Sequence, residues 1–161
     1  MISEEDGLTQ IVLQNFKQSC GPFDESLLDR FAKSSIRLKT LEVTSMIFLS
    51  TESRQQLTNL VVKIIQTNLL SHLNLEAFSL NYDGEQGEQI LEALCASNIK
   101  LVYLNMTENK GWWIQEGCIQ LLQAFLREQE RLEELHLRHS YFSSEFSEKL
   151  LTTIAQTSRL S

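Results

Sequence analysis

"RLEELHL", residues 131 to 137, and "RLKTLEV", residues 37 to 43, share one pattern: a basic residue, then apolar side chains at positions one, four and six counted from the first leucine. Apolar residues two apart mark a half-buried strand. The same spacing returns as Leu101, Leu104 and Met106 in "KLVYLNM", as Leu75, Phe78 and Leu80 in "LEAFSL", and more weakly as Leu8, Ile11 and Leu13 in "LTQIVL". A closing "RLS" opens a further copy at Leu160. The first leucines fall at 8, 38, 75, 101, 132 and 160, so the steps are 30, 37, 26, 31 and 28 residues. Self-similarity at such a period signals stacked supersecondary units.

Between the copies the period changes to that of a helix. "ESLLDRFAKS", "GEQILEALCAS", "GCIQLLQAFLRE" and "SEKLLTTIAQ" carry apolar residues three and four apart: Leu27, Leu28, Phe31; Ile90, Leu91, Leu94; Leu121, Leu122, Phe125; Leu150, Leu151, Ile154. Each predicts a short helix with one apolar face. The longest step holds the longest stripe, Leu57, Leu60, Val61, Ile64 and Ile65. No single unit can bury its own apolar face, and stacking the units builds a continuous core between sheet and helices.

The unit L-x-x-L-x-L-x-x-(N) followed by a helix resembles a leucine-rich repeat of the ribonuclease-inhibitor type, over residues 8 to 161. The resemblance implies an α/β solenoid of about five strand–helix units, with a short curved parallel sheet on the concave side and helices on the convex side. It treats residues 1–161 as a single domain, whether whole or a portion of a longer array. In that family the ninth position is usually asparagine or cysteine, which satisfies backbone groups in the turn after the strand. Here it reads Phe16, Met46, Asp83, Asn109 and Ser140, so only Asn109 keeps the family residue and the repeats are degenerate.

With 161 residues, 42% of them hydrophobic, the chain is long enough for one sizeable core. A net charge of −7 argues against general affinity for nucleic acid or anionic membrane, both of which need a basic surface. Three cysteines, Cys20, Cys95 and Cys118, are an odd count without framework spacing, which points to a reducing, cytoplasmic setting. The start "MISEEDGLTQ" has acidic residues where a secretory signal needs basic ones, and no apolar run is long enough to span a bilayer. Asn105-Met106-Thr107 matches a glycosylation acceptor, which without export is a chance match.

Catalytic and metal-binding patterns are missing. His136 and His139 are three apart, on opposite faces of a strand, and no cysteine pair has zinc spacing. There is no phosphate-cradling glycine loop, G-x-S-x-G elbow or H-E-x-x-H helix. Cys95 and Cys118 read as buried small apolar residues, and the chain is not expected to be an enzyme or to carry a cofactor. Lys100, Arg131 and Arg159 fall at helix ends, where cations meet the last carbonyls.

Alternation along the strands leaves positions two, three, five, seven and eight available to the concave side or its rims. Stacked, position three reads Gln10, Thr40, Ala77, Tyr103, Glu134; position five Val12, Glu42, Ser79, Asn105, His136; position seven Gln14, Thr44, Asn81, Thr107, Arg138. Tyr103, Asn105, His136 and Arg138 would cluster on two adjacent strands, with residue types enriched at binding hot spots. An ordinary solvated sheet face has a similar mixture. "ENKGWWIQEG", residues 108 to 117, places Trp112 and Trp113 in the connection from the fourth strand to its helix, with Gly111 supplying backbone freedom. One tryptophan is expected to pack over the core edge and the other to stay accessible on the loop rim, unless they plug a gap between loops. Phe16, Phe23 and Phe142 are candidates for edge packing.

Two functions are compatible with this pattern. One is a protein-interaction module that takes a protein or peptide partner on its concave face and loops, through Tyr103, Asn105, Trp112, Trp113, His136 and Arg138. The other is a structural spacer or a piece of a larger assembly, with end-to-end contacts through uncapped repeats. Regulation of a small GTPase or a nuclease is implied only by what similar repeat proteins do.

Overall fold

The structure is a computed structural model and describes residues 9–14, 38–46, 51–78, 84–138, 142 and 144–156. Five short strands, β1 (Gln10–Gln14), β2 (Thr40–Thr44), β3 (His72–Asn74), β4 (Tyr103–Asn105) and β5 (Glu134–His136), form one parallel sheet in chain order. Parallel neighbours require a crossover. Helices α1 (Thr51–Thr67), α2 (Glu85–Ala96), α3 (Glu116–Arg127) and α4 (Ser144–Gln156) follow β2 to β5, and each packs on the next. The result is an α/β architecture compatible with a strand–helix repeat. Among the described residues, no helix is long and apolar enough to cross a membrane. The helix expected around residues 25–34 lies outside the described residues, as do Leu8, Phe16, Cys20, Phe23, Ser79, Leu80, Asn81, Asp83, His139, Ser140, Arg159 and Leu160.

The strand register corrects the third unit. Ile11 pairs with Leu41, Leu41 with Leu73, Leu73 with Leu104 and Leu104 with Leu135. The unit therefore begins at Leu70 and reads Leu70, Leu73, Leu75, not Leu75, Phe78, Leu80. Successive partners are then 30, 32, 31 and 31 residues apart, and the irregular steps of 37 and 26 disappear. "LLSHLNLEAFSL" contains two overlapping matches to the pattern. The earlier one forms the strand because α1 ends at Thr67 and the chain reaches the sheet within a few residues.

The turns repeat with the same registration. Ser45, Ala77 and Glu108 have φ of 59°, 51° and 65°, and each is the eighth residue of its unit. A left-handed backbone is costly for residues with a Cβ. Hydrogen bonds across the turns offset that cost: Met46 N–H donates to Ala77 O, Ala77 N–H to Thr107 O and Glu108 N–H to Arg138 O. Gly111, expected to free the turn at the tryptophans, has an ordinary φ of −66°; Glu108 is the residue that turns the chain.

Side-chain amides close two units on themselves. Asn68, just after α1, accepts from Leu38 N–H at 3.0 Å and donates to Ile64 O at 3.1 Å. Gln129, just after α3, accepts from Leu101 N–H at 2.9 Å and donates to Ile99 O at 3.1 Å. Lys100 Nζ donates to Glu128 O at 2.6 Å, so it caps the end of α3, the helix after it in sequence.

The helix stripes supply one face of the core and Leu41, Leu73 and Leu104 the other, all fully buried. Leu151 departs from its expected place: it is 64% exposed, because the inner face of α4 is made by Phe146, Leu150 and Thr153.

Candidate sheet-face interaction site

On the side of the sheet away from the helices, the register sets Thr40, His72, Tyr103 and Glu134 in one row, and Glu42, Asn74, Asn105 and His136 in the next. His72 and Asn74 thus occupy the places assigned to Ala77 and Ser79 by the misread third unit. Position seven of that unit is Glu76, not Asn81. Even spacing of about 31 residues between aligned leucines was the signal that could have found them.

Tyr103 sits at the centre of this face. Its ring centroid is 6.1 Å from that of His72, with planes 20° apart, and 5.3 Å from that of His136 at 42°. The three rings cross three strands. His136 Nε2 lies 3.4 Å from Glu134 Oε2, and Gln10 Nε2 donates to Glu42 Oε1 at 3.3 Å. The Tyr103 phenol is held above its ordinary value of 10.0, first by desolvation; a hydrogen bond with Asn105 opposes this, and the charges of Glu134, Glu76 and Glu42 add to it. Three carboxylates from three different strands or their ends therefore act on one phenol.

Asn105, expected among the partner-facing residues, is only 6% exposed. Its Oδ1 accepts from Thr107 N–H at 2.9 Å and its Nδ2 donates to Glu76 Oε2 at 3.3 Å. Asn74 makes the matching bond to Glu76 N–H at 3.1 Å. Both asparagines hold the start of a turn, in the Asx manner. Arg138 is exposed beyond β5, and its carbonyl accepts from Glu108 N–H.

Trp112 and Trp113 are 0% and 2% exposed, so neither remains accessible on a rim. They form a 3-10 turn, Trp112–Ile114, between β4 and α3. Trp112 points back to Phe78, with centroids 6.0 Å apart, and Trp113 points forward to Phe142 at 5.3 Å. Phe142 in turn meets Phe146 at 4.7 Å, so Phe142 does pack at an edge as expected. The two rings join the units on either side of them. Their helix-side neighbour is Gly87 of α2, where a Cβ would stand 2.4 Å from Trp112 Cγ. Asn109, the one residue matching the resemblance at position nine, is fully buried; its Nδ2 donates to Leu75 O at 2.7 Å and to Met106 O at 3.1 Å. Met46 and Phe78 fill the equivalent places with apolar bulk.

Of the described thiols, both are held above the ordinary thiol value. Cys118 is fully buried and pushed up to about 12, first by burial and then by the Glu88 charge. Cys95, read from sequence as buried, is exposed as a residue because it lies on the outer side of α2; its Sγ–H donates to Leu121 O at 3.3 Å, and partial burial of the sulfur raises it too. Among the described residues, no group of three or more His, Cys, Asp or Glu is placed to hold a metal ion. A hollow of about 570 Å3 opens beside β5, between that strand and α4, walled by Leu135, Leu137, Phe142, Leu150, Leu151 and Ile154. No family model, curated protein or solved structure matches the chain.

Proposed function

We propose that this chain is a leucine-rich-repeat interaction module of the ribonuclease-inhibitor-like type, a curved scaffold that binds a protein or peptide partner on its open, concave sheet face. The observation that carries this reading is the succession of rings His72, Tyr103 and His136, neighbours across three strands on partly exposed positions, beside the wholly buried Leu73 and Leu104. The core does not need these rings, whereas tyrosine is among the residues enriched in binding hot spots. His136 and Arg138 stay in the proposed site, His72 and Glu76 join it, and Trp112, Trp113 and Asn105 become its support. No catalytic step is assigned. The odd, unframed cysteines favour a cytoplasmic setting.

The test is capture from cell extract by the wild type, by Tyr103→Ser/His136→Ser, and by a helix-side control, Arg127→Ser, after circular dichroism shows that all three fold. A partner held by the wild type and the control but lost by the sheet-face variant supports the module. Identical sets from all three refute it.

A second reading has its own support: the apolar hollow at β5 and the exposed Leu151 suit end-to-end association in a larger array. Sedimentation that depends on concentration, and that Leu151→Lys abolishes, is the result this reading requires.

A further inference from the structure

Resting on the interaction-module reading, we infer that the partner presents an arginine-bearing basic segment, one guanidinium of which lies against Tyr103 beside His72 and His136 while the segment's basic side chains pair along the strands with Glu42, Glu76 and Glu134. The chemistry follows from what the sheet face gathers. A cation within about 6 Å of an aromatic ring centroid is attracted by the ring's negative face, and arginine also stacks on it. Tyr103 supplies such a ring, partly exposed, with His72 stacked at 6.1 Å and His136 tilted at 5.3 Å beside it. Around it stand carboxylates from β2, from the end of β3 and from β5, each far from the others in sequence and brought together only by the register.

The fixed partners of these carboxylates leave capacity for a guest. Glu42 takes one bond from the neutral Gln10 amide, Glu76 one from the neutral Asn105 amide, and Glu134 approaches His136 at 3.4 Å. Each carboxylate has two oxygens and about four acceptor sites, which suits a bidentate guanidinium. An acidic segment would meet three like charges here, and a purely apolar one would desolvate them without pairing.

The test titrates the whole chain with nonapeptides of arginine, of lysine and of glutamate, by calorimetry and by NMR of the His72, Tyr103 and His136 rings. The expected result is that oligo-arginine moves all three ring signals, oligo-lysine binds less tightly, and oligo-glutamate moves none. Replacing Glu42, Glu76 and Glu134 together by Gln should weaken oligo-arginine about tenfold or more, and Tyr103→Leu about fivefold. Tyr103→Phe, which keeps the ring, should stay within about twofold. The control removes the same charge elsewhere, Glu52→Gln/Glu92→Gln/Glu130→Gln, because any acidic protein draws a polycation weakly.

Equal weakening in both triple variants, or ring signals that stay put, overturns the inference. A captured partner that depends on the sheet face but has no arginine or lysine in its contact segment overturns it while leaving the module reading intact. Capture that survives substitution of the sheet face removes the module reading and this inference with it.

Discussion

Two rows of aromatic rings cross this molecule, and they differ in what surrounds them. Phe78, Trp112, Trp113, Phe142 and Phe146 run through the region between strands and helices, most of them buried and each touching the next. His72, Tyr103 and His136 run across the outer face of the sheet, His72 exposed and the other two half-buried, among carboxylates. Both rows bridge successive strand–helix units. The first does so to exclude water; the second is left available. Residue type separates them: the inner row is phenylalanine and tryptophan, the outer histidine and tyrosine, and the largest rings are the hidden ones.

Trp112→Ala should break the comparison most forcefully. It removes a fully buried ring and leaves a cavity against Phe78 and Gly87, so chemical denaturation should show a loss of about 3–5 kcal/mol. A loss no larger than that of a surface substitution would mean that the inner row is not structural. Gly87→Ala tests the same contact from α2. Its new Cβ would overlap Trp112 Cγ, the fixed root of the indole, and overpacking of this kind costs about 1–3 kcal/mol in a thermal or urea melt.

A third prediction concerns pH. Cys118 is neutral when protonated and its folded value lies at about 12, above the reference 9.0, so the unfolded thiol ionises first. Stability from this group is intact below pH 9.0 and is lost as pH rises toward 12, with a slope of up to about 1.4 kcal/mol per pH unit. Denaturation of wild type and Cys118→Ala at pH 8 to 11 should show the steeper alkaline decline in the wild type; parallel declines would contradict the assignment. The smallest effect belongs to the outer row. Tyr103→Ala should alter stability by less than about 1 kcal/mol, because a solvated sheet face contributes mainly cross-strand contacts. A larger loss would move Tyr103 from recognition to scaffolding.

Strand positions were legible because leucines at one, four and six leave few alternatives. The third unit was misread where two such patterns overlapped, and only pairing across the sheet separates Leu73 from Phe78. The turns were less legible. Ser45, Ala77 and Glu108 share a left-handed backbone but no chemistry, because inter-turn hydrogen bonds impose it. Directions of side chains in a short 3-10 turn were not legible at all: Trp112 and Trp113 are adjacent, and the expectation that they diverge in burial failed because each packs on a different aromatic neighbour, Phe78 and Phe142. On the sheet, Tyr103 and His136 were found from alternation, whereas His72 and Glu76 were lost with the register.

Asn68 reaches back to the amide of Leu38 and Gln129 to that of Leu101, each clasp joining the tail of a segment to its own head. Such a segment is a closed ring of about thirty residues, and its seams fall just before Leu38, Leu70, Leu101 and Leu132. Cutting or splicing there transfers each clasp whole. The contacts that would have to be matched anew at such a seam are those between neighbours, such as Asn109 Nδ2 to Leu75 O and Trp112 against Phe78.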